Sequence, residues 1–180
     1  MMFLWRMLMR RGRGPAMDPL HVSMTGVRMG ERFLQIGCKD KALLAGLAAK
    51  VGLSGTSAVA VYNAEEAARA QAIGRKIGAL IEAKDANGEW PFDAGAFDMV
   101  VVDDTDGAFW THPDPGAILQ NGLRSLRAGG RIEVVTPVSA HEQADFIARL
   151  SAAGFKPVRI LAERNRFRFV EGLRTVEPSP

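Results

Sequence analysis

The residues best placed for chemistry cluster at three short loops. Gly37, Cys38, Lys39 and Lys41 follow the apolar run RFLQI (32–36). Tyr62 and Asn63 follow AVAV (58–61), and Asp85 and Ala86 close a third run over about 79–84. A glycine directly after a strand lets backbone approach a ligand closely. An acid at a strand end accepts hydrogen bonds from hydroxyls or amines. Asp103 and Asp104 end a fourth run, FDMVVV (97–102), and are expected as solvated loop acids. Cys38 is the lone cysteine, so neither an intramolecular disulfide nor a cysteine-based zinc site can form within the chain. Cys38 reads as a packing residue rather than a nucleophile. His21, His112 and His141 show no ligand spacing.

Strands and helices that must carry these loops alternate along the chain. Leu43, Leu44, Leu47 and Val51 repeat at helical spacing and stop at Gly52. The alanine-rich run from Ala64 to about Lys76 predicts a second helix, with Glu65 and Glu66 at its positive end. Leu119, Leu123 and Leu126 mark another, halted by Gly129 and Gly130. A strand follows over Arg131–Val135, then a helix over about 139–153. Val158–Ala162 and Phe167–Val170, joined through a short polar link with Asn165, predict an antiparallel hairpin. Within it, Arg166, Phe167, Arg168 and Phe169 alternate as one buried and one solvated face. Such alternation means an α/β fold, a doubly wound sheet whose ligands bind at the carboxyl ends of the strands.

Five segments in order, MGERFLQIGCKDKALLAGLA, AVAVYNAEEAARA, KDANGEWPFDAGAFDMVVVDD, GLRSLRAGGRIEVV and LSAAGFKPVRI, give the chain its resemblance to the class I S-adenosylmethionine-dependent methyltransferases. The resemblance spans about 22–173. It implies a seven-stranded, mostly parallel sheet with an antiparallel last strand, in three α/β/α layers. It also implies S-adenosylmethionine as cofactor and methyl transfer as activity. By position, Gln35, Gly37, Cys38 and Lys39 correspond to the loop that holds the methionine end. Tyr62 and Asn63 correspond to the ribose position, Asp85 and Ala86 to the adenine edge, and Asp103 to a further contact. Gln35 stands where the family has an acid, Lys39 and Lys41 where it has glycines, and Tyr62 where an acid accepts the ribose hydroxyls. These departures imply an alternative, a catalytically inactive member of the fold acting as a binding partner or scaffold.

Composition sets outer bounds. The chain has 180 residues, 47% hydrophobic and 24% charged, enough for one domain with its own core. Its net charge of +3 comes from the head, where Arg6, Arg10, Arg11 and Arg13 have no acid among them. The remainder holds 19 basic and 20 acidic residues, which argues against a chain-wide nucleic-acid surface. Residues 1–16 read as a leader, unstructured or a short amphipathic helix, residues 17–174 as the domain, and 175–180 as a tail. The head is too short and too charged for a membrane span. Cysteine usage suits a cytoplasmic setting. Neither a methyl acceptor nor a protein partner is written in the composition.

Overall fold

The computed structural model describes residues 19–139 and 145–176. The proposed leader, His141 and the last four residues of the tail lie outside them. Helix α1 (Pro19–Met24) leads into β1 (Arg32–Ile36), α2 (Lys41–Val51), β2 (Thr56–Val61), α3 (Ala64–Ile77) and β3 (Ile81–Asp85). There follow β4 (Phe97–Asp103), a 3-10 turn (Phe109–Thr111), α4 (Pro115–Ser125), β5 (Leu126–Pro137), α5 (Phe146–Ala153), β6 (Val158–Arg164) and β7 (Phe167–Leu173).

The seven strands form one sheet in the order β3-β2-β1-β4-β5-β7-β6. β7 alone runs against its neighbours, pairing antiparallel with both β5 and β6. The order reverses between β1 and β4, which opens a crevice at their carboxyl ends. Alternate strand residues feed two cores. Phe33, Val59, Met99 and Val101 pack under α1, α2 and α3 with Leu43 and Leu47. Leu34, Ile36, Val100 and Ile132 face α4 and α5 with Phe146 and Phe155. Burial on both faces explains why the central strands read as unbroken apolar runs.

Helix starts are set by capping side chains. The Asp40 carboxylate accepts from the backbone N–H groups of Ala42 (2.7 Å) and Leu43 (2.9 Å). Asn63, Asp114 and Asp145 cap α3, α4 and α5 in the same manner. Asp145 therefore starts the last helix at Phe146, later than the expected 139; residues 140–144 lie outside the described ones. The helix expected to run through Leu126 ends at Ser125. Leu126 instead pairs with Phe97 as the first residue of β5, and the register slips before Met99 meets Arg131.

The hairpin turns at Asn165 (φ 49°) and Arg166 (φ 73°), the two left-handed residues a tight turn requires. The half-solvated reading of this hairpin is corrected. β7 is an internal strand covered on both faces, so Arg168 is buried beside Phe167 and Phe169. Its guanidinium Nε donates to Glu163 (2.5 Å).

Candidate functional site

The crevice at the switch point holds a cavity of about 260 Å³ lined by Gly37, Lys39, Tyr62, Glu66, Asp103 and His112, among others. Gly37 makes the turn out of β1. Its φ of 79° is left-handed, which favours glycine, and its N–H donates to the Ala60 carbonyl at 2.9 Å. Lys39 and Lys41 do not share that need, because neither has a positive φ. Lysine at these positions therefore leaves the backbone angles unstrained, and only the Lys39 side chain reaches the cavity. Lys41 is the first residue of α2 and lines a different concavity.

Asp103 organises the loop. One carboxylate oxygen, Oδ2, accepts from the backbone N–H of Lys39 (2.7 Å) and Asp40 (2.9 Å) and from Gln35 Nε2 (3.2 Å). The other accepts from the Thr105 hydroxyl (2.6 Å) and N–H (3.3 Å). Burial pushes Asp103 up to about 6, against the pull of these donors. Asp104 is buried too; it accepts from the Thr136 hydroxyl and the Phe109 N–H, both at 2.7 Å, and burial raises it. Both aspartates thus depart from the solvated reading. Each turns inward to satisfy donors that the strand end would otherwise bury unpaired.

Gln35 is fully buried and ties the loop, donating also to the Gly37 carbonyl (3.0 Å). Cys38 packs into the core beneath α2 and α3, and its carbonyl accepts from Arg69. Burial pushes the Cys38 thiol up to about 12, so it stays protonated. Asn63 is occupied as the cap of α3, accepting from Glu66 N–H at 2.8 Å. Asp85 accepts from the backbone and side-chain nitrogens of Asn87, at 2.9 and 2.7 Å. Ala86 donates its N–H to the Val61 carbonyl at 2.9 Å. Gly37, Lys39, Tyr62 and Asp103 thus meet around the cavity, whereas Gln35, Cys38, Asn63, Asp85 and Ala86 stand behind or beside it.

Glu66 is the residue that the sequence reading passed over. At the third position of α3 it looks like a favourable helix-start acid, but its carboxylate reaches back to the carboxyl end of β2. Oε2 accepts from Tyr62 N–H at 3.0 Å. Oε1 lies 3.0 Å from Lys39 Nζ in an ion pair. Lys39 also lies 3.9 Å from Asp106. Burial lowers the Lys39 ammonium, but Glu66 and the nearby Asp106 and Asp103 outweigh that and hold it above its ordinary value. Tyr62 packs edge-on against His112, ring centres 4.6 Å apart. Tyr62 Oη and His112 Nδ1 are both buried without a hydrogen-bond partner. Burial, with the Glu66 charge, raises the Tyr62 hydroxyl.

A larger concavity of about 870 Å³ lies between α1, α2 and α3. Its walls are mostly apolar and its charged groups, Lys41, Lys50, Arg69 and Lys76, are all cationic. Among the described residues no unpaired buried polar group lines it. The smaller cavity, with convergent unpaired groups at the switch point, is the better chemical site. Among the described residues no grouping of His, Cys, Asp and Glu could hold a metal ion.

No family model and no curated protein matches the sequence. Solved structures match the fold. A S-adenosylmethionine-dependent methyltransferase from Aquifex aeolicus superposes with a TM-score of 0.75 at 18% identity, over 89% of this chain and 91% of that one. A S-adenosylmethionine-dependent O-methyltransferase from Thermotoga maritima gives 0.67 at 19%, over 89% of this chain and 65% of that one. A methyltransferase from Pyrococcus furiosus gives 0.67 at 15%, over 89% and 84%. The chain has the class I S-adenosylmethionine-dependent methyltransferase fold.

Proposed function

We propose that the chain binds S-adenosylmethionine in the cavity beside Gly37 and acts as a methyltransferase on an acceptor still to be identified. The observation that carries this reading is the pair of unpaired polar atoms there, Tyr62 Oη and His112 Nδ1, beside the buried Glu66 carboxylate. A buried polar group left without a partner costs about 1–3 kcal/mol. Two of them around one cavity at a switch point, with a buried carboxylate beside them, suit a polar ligand.

The groups present fit the cofactor's ends. The Glu66 carboxylate offers the acceptor for ribose hydroxyls that Tyr62 cannot supply. Asp106, 3.9 Å from the Lys39 ammonium, offers a negative charge for the ammonium of the amino-acid end. Phe109, Pro113 and Ile118 give the cavity an apolar wall that excludes water. Asp85 and Ala86 remain the proposed adenine contacts, one strand over from the cavity; Asn87 bridges that loop to the Tyr62 carbonyl at 2.8 Å. When bound, the cofactor supplies a methyl group activated by its sulfonium. The chain then has to hold donor and acceptor in line. A lone, buried cysteine accords with a cytoplasmic setting.

A second reading, an inactive member of the fold acting as a scaffold, has its own support. Lys39 spans the cavity to Glu66, and Asp103 already occupies the loop amides. The cavity volume also falls just under the ~300–1,000 Å³ usual for small-molecule sites. Thermal unfolding with S-adenosylmethionine and with its demethylated product separates the two. At 100 times its dissociation constant a ligand stabilises the native state by about 2.7 kcal/mol. A rise in melting temperature with either compound supports the enzyme reading; none with both at millimolar concentration supports the scaffold.

A further inference from the structure

The three most exposed large apolar side chains in the described fold are Leu53 (97%), Leu80 (91%) and Met29 (80%). Single exposed leucines are ordinary. These three share one end of the sheet. Met29 precedes β1, Leu53 precedes β2 and Leu80 precedes β3, and those strands are consecutive neighbours. Their starts are level, Arg32 pairing with Thr56 and Ser57 with Ile81. The Gly30 N–H donates to the Val51 carbonyl at 2.9 Å, which binds the Met29 loop to the Leu53 loop. Leu53 and Leu80 line one shallow concavity. This end lies a strand length, roughly 15–20 Å, from the cavity at Gly37.

Cations stand beside the apolar tips along the chain, Arg28 before Met29, Lys50 at the end of α2 and Arg75 and Lys76 at the end of α3. Arg28, Lys50, Arg75 and Lys76 are exposed, and no carboxylate among the described residues pairs with them. Lys50 and Lys76 also line the apolar groove between α2 and α3. The nearby acids are engaged, Glu82 with Lys84 (3.0 Å) and Glu31 with Arg131 (3.0 Å). Lysines in a last helical turn complement the helix dipole, which accounts for their positions but not for the leucines between them.

We propose that this end of the molecule is a peripheral docking face for an anionic lipid bilayer. Met29, Leu53 and Leu80 enter the interface, while Arg28, Lys50, Arg75 and Lys76 meet the headgroups. Protruding aliphatic tips flanked by unpaired cations match the two parts of such a surface, its apolar depth and its negative headgroups. The site would then face away from the bilayer, open to the solvent.

The test is sedimentation of the full chain with phosphatidylglycerol–phosphatidylcholine vesicles and with phosphatidylcholine vesicles alone. Binding to the anionic vesicles, weakened by salt, is expected. Leu53→Ser with Leu80→Ser should reduce partition roughly tenfold for each leucine. Lys50→Glu with Lys76→Glu should reduce it roughly fivefold or more for each charge. Unchanged thermal unfolding of both variants shows that the fold is intact. Wild-type partition retained by both variants would assign binding to the head and overturn the proposal, as would no binding at all. Self-association that the leucine variant abolishes, without vesicle binding, would assign the face to a second copy and overturn it too.

Discussion

If the Glu66 carboxylate is to receive a ligand, Lys39 must release it, so replacing Lys39 should tighten binding. The pair is 3.0 Å long, with the Glu66 side chain 3% exposed and that of Lys39 37% exposed. Coulomb attraction at an effective dielectric of 20 is about 4 kcal/mol at 4 Å, and solvent around the lysine discounts this to roughly 1–2 kcal/mol. A ligand that breaks the pair loses that amount, which is roughly 5–30-fold in affinity. Lys39→Ala should therefore tighten S-adenosylmethionine binding by about that factor in calorimetry. Lys39→Arg, which retains the charge, should change it little.

The same change should lower stability by about 1–2 kcal/mol, because Glu66 keeps only the Tyr62 N–H. Lys41→Ala is the control, since its side chain lies in the other concavity and should leave binding unaltered. Combining Lys39→Ala with Glu66→Gln should remove most of the gain, a coupling that a double-mutant cycle reads directly. Weaker binding by Lys39→Ala would refute this account. The lysine would then be a ligand contact rather than a latch.

Glu133 is buried with both carboxylate oxygens unpaired and lies opposite Glu171 across β5 and β7; burial and that neighbour push it up to about 9. The native state then holds a proton that the unfolded chain releases, so stability should fall as pH rises between about pH 4.5 and 9. In urea unfolding at pH 5.5 and 7.5, Glu133→Gln should remove that slope; equal slopes in the two proteins would contradict the burial argument. Cys38 should resist iodoacetamide at pH 8 in the native protein and react fully once unfolded, as mass spectrometry can follow. Gly37→Ala should cost about 1–2 kcal/mol through its positive φ alone, since an added Cβ would meet only the Asp103 carbonyl at 3.6 Å. Melting displaced much further than that would mean that the loop itself had shifted.

The fold was legible because its signals are local. FDMVVV is apolar on both faces because β4 lies between β1 and β5, and Asn165 marks the turn because a left-handed residue is needed there. The site was only half legible, because its groups come together through space. Gly37 and Tyr62 announce themselves by following strands. Glu66 does not, since four residues separate it from the strand end that its carboxylate reaches, and a helix-start acid is unremarkable in sequence. Asp103 was misjudged for the same reason: nothing beside it shows that the amides of Lys39 and Asp40 lie more than sixty residues back along the chain and 2.7–2.9 Å away in space. Reading the loop as a damaged motif rested on matching one position to one role. Under the proposed function the roles are exchanged. A carboxylate absent at position 62 is present at position 66, and a loop without its later glycines is held by Asp103 instead. Loss of a motif residue is therefore weak grounds for loss of the site, whereas the Lys39–Glu66 contact is specific grounds for weak binding.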